Sequence, residues 1–515
     1  MKWTPLSYLL LILLFSAASA KEFQVNTRSA CDQADADIAM DANSNFVVVW
    51  TSYFEDGNSN DIFGWLFDSD AKPAGDEFLI NTVRLGNQKE PSVAADEIGN
   101  FVVVWQGPGP NEEDIFARRF EPNGQPLGDE FPVNINTAGR QLHPEVAASK
   151  TGAFVIVWEH YEFFDPFDAW DICGQLYDCN GFLVGGEFKA NSVYQCRYPD
   201  VAMDEYGNFT AVWMQDDIYH TSNLVMARQY NADGSPKANP FEISTGKFYA
   251  ISHPSIAMDG TGHFVVTWEA DPCSAQLNDI YARRYHFDGS PLCEQFRVNV
   301  ATIGAQQYPK AAINSKRQFV IVWNSENTPD SNEGDIFGRR YDEWYRPIGD
   351  ELLINTYVVD DQKYPDVIIR DDGEFIAAWQ SDSQDGSGYG IFADIGPAIP
   401  CADFAGDWFV SFGDYCVLAG EWFKDQNPLK TDLVDDNKID MLDLAAFCGQ
   451  WLRSCYDCNA VDVYTDGRID FKDYCIWSQD YLQQGPLKGD ITGNGTVDLA
   501  DLKALTLHWA KTCEQ

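Results

Sequence analysis

The sequence predicts a mainly β chain: a seven-bladed β-propeller followed by a small α-helical domain of acidic loops. Three observations predict it. The stretch Phe101-Val102-Val103-Val104-Trp105 returns six times, in near-copies ending at Trp50, Trp158, Trp213, Trp268, Trp323 and Trp379. Successive tryptophans lie 55, 53, 55, 55, 55 and 56 residues apart, and a fixed period of this size marks a repeat architecture. Beyond residue 400 the period shortens to about 29, and each unit there opens on an acidic stretch.

The chain opens like a secretory leader. Lys2 supplies the charge, Leu9 to Phe15 the apolar core, and Ala18-Ser19-Ala20 a small-residue cleavage site. Residues 1–20 are therefore expected to be removed, leaving a protein that is secreted or held at the cell surface of a bacterium. No later run reaches the ~18 apolar residues of a spanning helix, so no membrane insertion is expected. The net charge of −44 argues against nucleic acid and anionic membranes as partners and suits cations. Thirteen cysteines in an exported chain favour disulfides over reactive thiols. Cys273 and Cys293 flank one expected strand and are placed for a local bridge.

Within a repeat the order is strand-like throughout. Pro91 to Asp96 comes first, Phe101 to Trp105 second and Asp114 to Phe120 third; a Pro/Gly turn then leads to Glu130–Asn134. The second strand is a continuous β-branched run without alternation, which reads as buried on both faces. Four strands per unit and seven units describe a propeller over residues 21–396. Six fourth strands follow a third strand. The seventh unit stops after Gly390-Ile391-Phe392-Ala393, and its missing piece stands at the start of the mature chain as Glu22-Phe23-Gln24-Val25-Asn26. The N-terminal strand is expected to close the ring and leave no open edge.

Third strands carry arginine pairs at Arg118-Arg119, Arg283-Arg284 and Arg339-Arg340. Because they recur with the repeat, they read as structural, paired with the strand-opening Asp114, Asp279 and Asp335 or with a neighbouring blade. The stretch after the third tryptophan differs from its counterparts. It holds His160, Tyr161, Phe163, Phe164, Phe167 and Trp170 among acidic residues. Aromatic faces beside carboxylates suit a sugar platform or a protein hot spot, so these six are the candidate ligand-binding residues.

Gly396 to Pro400 forms a short stiff boundary, with 397–400 as linker. In residues 401–515 four units place a twelve-residue acidic loop before a short amphipathic helix, with loops beginning at Asp403, Asp432, Asp462 and Asp490. The last has oxygen side chains at Asp490, Thr492, Asn494, Asp498 and Asp501, Gly495 for the sharp turn and the Thr496 carbonyl at position seven. That is calcium-loop spacing. The third loop offers Asp462, Asp466, Asp470 and Asp473 with the Arg468 carbonyl, and the second offers Asp432, Asp436, Asp440 and Asp443. Calcium is the expected cofactor. After each loop the helices bury one face, through Leu502, Leu505 and Trp509 in the last unit and Leu444, Phe447 and Trp451 in the second.

Tandem loop–helix units with Asp at position twelve resemble type I dockerin repeats, over residues 401–515 only. The resemblance implies a secreted protein that docks onto a cohesin-like protein or cell-surface component, often in a polysaccharide-degrading assembly. The chain departs from the pattern in having four units rather than two. It also has Ala405, Val434 and Tyr464 at position three, and cysteines at seven positions after residue 400.

The leading expectation is a secreted calcium-binding protein whose propeller binds a glycan or a protein. The alternative is a propeller glycoside hydrolase or lyase acting in polysaccharide catabolism. None of the seven histidines stands in a metal or catalytic motif, so no catalytic residue is assigned from sequence, and the fold admits both readings.

Overall fold

The computed structural model describes residues 22–396, apart from 30, 54–58, 165–166, 193–194, 217–222, 247, 249, 273–277, 303 and 327–333. The chain divides into two units after Ile399, and all described residues belong to the first. The expected leader, linker, calcium loops and helices lie outside the described residues.

Seven four-stranded antiparallel sheets form the propeller. In sequence the blades span 33–79, 89–132, 140–189, 196–242, 250–297, 306–353 and 362–396. Each is a meander whose strands pair in chain order. First strands of successive blades pack on one another right round the ring, blade one against blade seven included, so they line the central channel. Phe23–Gln24 adds the fourth strand of blade seven, with Phe23 opposite Ala393 and Gln24 opposite Phe392. The expected closure is what the ring uses.

The β-branched runs form second strands because both their faces are covered by adjoining blades. Phe101 to Gly107 is buried without a break, and all seven repeat tryptophans are at most 2% exposed. Truncating one such tryptophan removes roughly 3–5 kcal/mol of packing. In four blades the indole N–H donates to a glutamine at or just before the start of the first strand: Gln88 for Trp105, Gln141 for Trp158, Gln306 for Trp323 and Gln362 for Trp379, at 2.8–3.0 Å. The indoles of Trp213 and Trp268 have no such acceptor. The residue that opens the second strand stacks on the one that ends the third, as in Phe101–Phe120 at 4.9 Å and Phe319–Tyr341 at 4.5 Å.

The arginine pairs are structural, and their partners are backbone carbonyls of neighbouring blades. Arg118, Arg283 and Arg339 donate to the carbonyls of Ile80, Ile243 and Val298 in the preceding blade. Arg119 and Arg284 donate to Cys179 and Glu343 in the following one. Strand-opening aspartates such as Asp114 and Asp279 instead accept from an asparagine twenty residues on, Asn134 and Asn299. The expected disulfides are not formed among the described residues, where Cys31, Cys173, Cys179, Cys196 and Cys293 are thiols. Cys173 and Cys196 are each buried in a separate apolar cluster, which accounts for their conformations without a bridge. Cys273 lies outside the described residues.

Candidate functional site

Every first strand breaks register at one place, and the break builds the channel mouth. The seven residues at the break are Asp35, Glu90, His143, Tyr198, His253, Tyr308 and Tyr364, with φ between 46° and 55°. A non-glycine residue in this left-handed region costs on the order of 1–3 kcal/mol and persists only where its surroundings hold it. In six blades the next residue is proline: Pro91, Pro144, Pro199, Pro254, Pro309 and Pro365. Proline disfavours the right-handed helical region for the residue before it and removes a donor that would face the channel.

The conformation is held from the adjoining blade. In five blades the side chain that follows the repeat tryptophan accepts the N–H of the bulged residue, Gln380 serving Asp35 at 3.4 Å. Thr51 serves Glu90 at 3.1 Å, Gln106 serves His143 at 3.0 Å, Glu159 serves Tyr198 at 2.6 Å and Glu269 serves Tyr308 at 2.9 Å. The bulge is thus common to all blades, and only the side chain it presents varies.

Those side chains surround a cavity of about 400 Å³, a volume suited to a small ligand or one sugar unit of a longer one. Five of them form a continuous arc of rings. His143 and Tyr198 lie 6.5 Å apart, Tyr198 and His253 4.4 Å, His253 and Tyr308 4.6 Å, and Tyr308 and Tyr364 4.4 Å. Asp35 and Glu90 complete the circle as carboxylates. Thr51 ties these two together, donating its hydroxyl to Asp35 at 3.1 Å while accepting the Glu90 N–H.

Both imidazoles are backed by a buried glutamate. His143 Nδ1 lies 3.1 Å from Glu159 Oε2, and its Nε2 lies 3.4 Å from Glu90 Oε2. Both contacts place the imidazole between two carboxylates. Burial pulls the His143 pKa down, yet Glu159 and Glu90 outweigh it and hold it up to about 9. His253 Nδ1 lies 3.1 Å from Glu269 Oε1, which also accepts the Ser252 hydroxyl at 2.6 Å. Burial would raise the Glu269 carboxyl, but these donors and the Tyr308 N–H keep it below its ordinary value. Asp35 is pushed up to about 6, first by burial and then by Glu90.

Below the ring of bulges a second layer faces the channel, two residues further along each strand. Asp37, Ser92, Asp200 and Asp366 each accept an N–H from the next blade, respectively Val93, Val146, Ile256 and Ile38. In the same layer Lys310 Nζ stands 3.6 Å from Glu145 Oε1. Their blades, six and three, are not neighbours, so the contact spans the channel. Burial would lower the Lys310 pKa; Glu145, Asp200, Asp366 and Asp37 outweigh it and raise it well above the ordinary value. Glu145 itself is raised to about 7, mainly by burial.

The aromatic stretch expected to bind ligand is a β-hairpin rather than a loop. Phe154–Phe164 pairs with Phe167–Tyr177, and Tyr161 stands opposite Trp170. Their rings are 4.5 Å apart and the Tyr161 hydroxyl donates to Asp168 at 2.9 Å. Arg197 lies over both Trp170, at 4.2 Å, and Tyr198, at 5.3 Å, so the base of the hairpin adjoins the arc. Phe163 is 62% exposed, whereas His160 is buried against Gln141 and turned away from solvent. Phe164 and Phe167 end the two strands; their side chains lie outside the description. The structure therefore joins Tyr161 and Trp170 to the channel mouth but does not gather all six residues. The calcium ligands assigned from Asp432 to Asp501 lie outside the described residues, and among the described residues no group of three or more His, Cys, Asp or Glu is set to hold a metal.

The seven bulge residues were not singled out from sequence. Their signal is present: a proline at one fixed place in six repeats, preceded by a residue whose type changes from blade to blade.

No protein-family model and no curated protein matches the chain. Among solved structures, a protein of unknown function from Dyadobacter fermentans DSM 18053 matches with a TM-score of 0.46 at 9% identity, over 73% of this chain and 97% of that one. The polysaccharide lyase Uly1 matches with a TM-score of 0.46 at 9% identity, over 72% and 91%. An α-L-arabinanase from Penicillium chrysogenum, solved with arabinobiose, matches with a TM-score of 0.41 at 12% identity, over 59% and 92%. Likeness at this level carries no argument about what the cavity binds.

Proposed function

We propose that this is an exported carbohydrate-binding protein whose propeller takes a sugar unit in its channel mouth. Residues 401–515, folding around calcium, attach it to a cohesin-like or cell-surface partner. The observation that carries the reading is the arc His143–Tyr198–His253–Tyr308–Tyr364, closed by Asp35 and Glu90 around a cavity of about 400 Å³. Ring faces bury the apolar side of a pyranose, and carboxylates at the same level accept its hydroxyls. The hairpin residues Tyr161 and Trp170 extend the same surface outward. Titration calorimetry with a panel of oligosaccharides tests it. Tyr308→Ala with Tyr364→Ala abolishes binding, while Phe163→Ala weakens it less. Binding that survives the tyrosine pair and falls with Phe163→Ala moves the site to the hairpin.

A second reading, a glycoside hydrolase or lyase, has one observation in its favour. Asp35, with its pKa near 6, is half protonated at mildly acidic pH and sits beside a second carboxylate. Carboxyls with separated pKa values are what acid–base cleavage requires. Product release from a bound oligosaccharide, lost in Asp35→Asn, decides for the enzyme.

A further inference from the structure

We infer that the channel mouth selects a positively charged sugar, an amino sugar whose ammonium group sits between Asp35 and Glu90. This rests on the carbohydrate reading above and gives its substrate class.

The first observation is charge. Asp35, Asp37, Glu90 and Glu145 line the cavity. Glu159 and Glu269 stand directly behind the two histidines, and Asp200 and Asp366 lie in the layer of Lys310. Against these eight carboxylates the mouth sets Lys310, His143, Lys89, whose Nζ lies 3.9 Å from Glu90 Oε1, and Arg197, which lies over Tyr198. Both of the enclosed cations are in contact with these carboxylates, His143 with Glu159 and Glu90 and Lys310 with Glu145. Burial alone would lower both, yet both are raised. An additional cation is therefore favoured in this space and an additional anion opposed, more so because channel walls focus the field.

The second observation is which carboxylates are left to meet a ligand. In the inner layer, Asp37, Asp200 and Asp366 are engaged in blade-to-blade hydrogen bonds and Glu145 faces Lys310. At the rim, Glu90 Oε2 is enclosed and has no hydrogen-bond partner. Its nearest cation, His143 Nε2, is at 3.4 Å and shared with Glu159, and the half-buried Lys89 Nζ stands 3.9 Å from Glu90 Oε1. The Asp35 carboxyl accepts the Thr51 hydroxyl and lies against the Glu90 N–H. A primary ammonium group has three donors. It would satisfy Glu90 and Asp35 together.

The third is the arc itself. Tyrosine faces attract cations as well as sugar rings, and Tyr364 and Tyr308 follow Asp35 round the ring. One site thus offers a ring face for the pyranose and paired carboxylates for its amine. A uronate, which carries a carboxylate of its own, meets repulsion instead.

The test uses the full-length mature protein and three oligosaccharide sets of matched length: glucosamine oligomers, their N-acetylated counterparts and oligogalacturonates. Calorimetry is run at pH 6.5 in low salt. Glucosamine oligomers are expected to bind at least tenfold more tightly than N-acetylated ones, with the gap narrowing several-fold in 0.5 M salt as the charges are screened. Oligogalacturonates are expected not to bind. Asp35→Asn with Glu90→Gln should bring the glucosamine to N-acetylglucosamine ratio close to one, with folding checked by melting. If N-acetylated oligomers bind as tightly as glucosamine oligomers to the unaltered protein, or oligogalacturonates bind best, the ammonium site is overturned while the carbohydrate reading stands. If no oligosaccharide of any charge binds, both fall. If a lysine-rich peptide of equal charge competes as well as the amino sugar, the sugar-specific assignment is overturned.

Discussion

Replacing Lys310 by methionine should destabilise the propeller in a pH-dependent way. Lys310 is enclosed by protein yet keeps 31% of its side-chain surface toward the channel, so water there screens it in part. At 3.6 Å from Glu145, an effective dielectric near 20 gives an attraction of about 4–5 kcal/mol. Removing one partner of a buried pair costs about 3–5 kcal/mol. Channel water and the escape of Glu145 into its protonated form bring the expected loss to the low end, about 2–3 kcal/mol at pH 8. The sign with pH follows from Glu145. Its folded pKa is raised from 4.5 to about 7. Between those values the unfolded chain has released a proton that the native state still holds, so stability falls as pH rises through that window. Without Lys310 the folded pKa climbs further, and the decline continues to higher pH. At pH 5 Glu145 is protonated in both native proteins, and the deficit should shrink below about 1 kcal/mol. Melting of the two proteins at pH 5 and pH 8 measures this, with an expected gap of about 3–4 °C at pH 8 for a domain of this size. An equal deficit at both pH values would make the lysine's contribution packing alone. No deficit at either would refute the charge argument.

Three further outcomes are expected. Deleting residues 21–27 removes the Val25 N–H bond to Ile391 and the Asn26 acceptor for the Ile391 N–H; the last blade then has a bare edge, and melting should fall while light scattering rises. Gln88→Met leaves the buried Trp105 indole N–H without its acceptor, at a cost of about 1–3 kcal/mol readable by urea unfolding. In the full chain, Asp490→Ala with Asp501→Ala should weaken calcium binding in a titration far more than Asp403→Ala with Asp414→Ala, because the last loop has the fuller ligand set.

The fold was legible because its repeating unit carries its own physics. A run such as Phe101 to Trp105 has no polar face, so only a sheet covered on both sides can accommodate it, and the displaced Glu22–Asn26 copy names the strand that closes the ring. The site was less legible, for a physical reason. The hairpin at 160–170 drew notice by density of aromatic residues within one stretch. The circle of bulges instead collects one side chain from each of seven stretches, some 53 to 56 residues apart. No local window contains it; alignment of the repeats by their prolines brings Glu90, His143, Tyr198 and Tyr308 to one level, and Asp35, followed by Ala36, joins them only through the repeat period. The charge span from Lys310 to Glu145 is less visible still, because it depends on which blades face each other across the axis. Arginine partners were half legible. Recurrence marked them as structural, but a guanidinium's preference for an adjoining blade's carbonyl over a nearby aspartate is set by strand register.

The pairing of Phe23–Gln24 with the last strand also constrains how the molecule is made. The strand that completes the ring is synthesised first and its partner some 370 residues later. During synthesis it must wait unpaired while six blades form behind it. Contacts of such long sequence separation form slowly, since the entropy of closing the loop precedes their reward. Until closure the nascent ring has two exposed edges, which invite pairing with another copy. A circular permutant that begins at Gln33 and carries residues 22–32 after Gly396 would make both partners at the same end of synthesis. It should reach the closed ring faster, with the same strands in the same places.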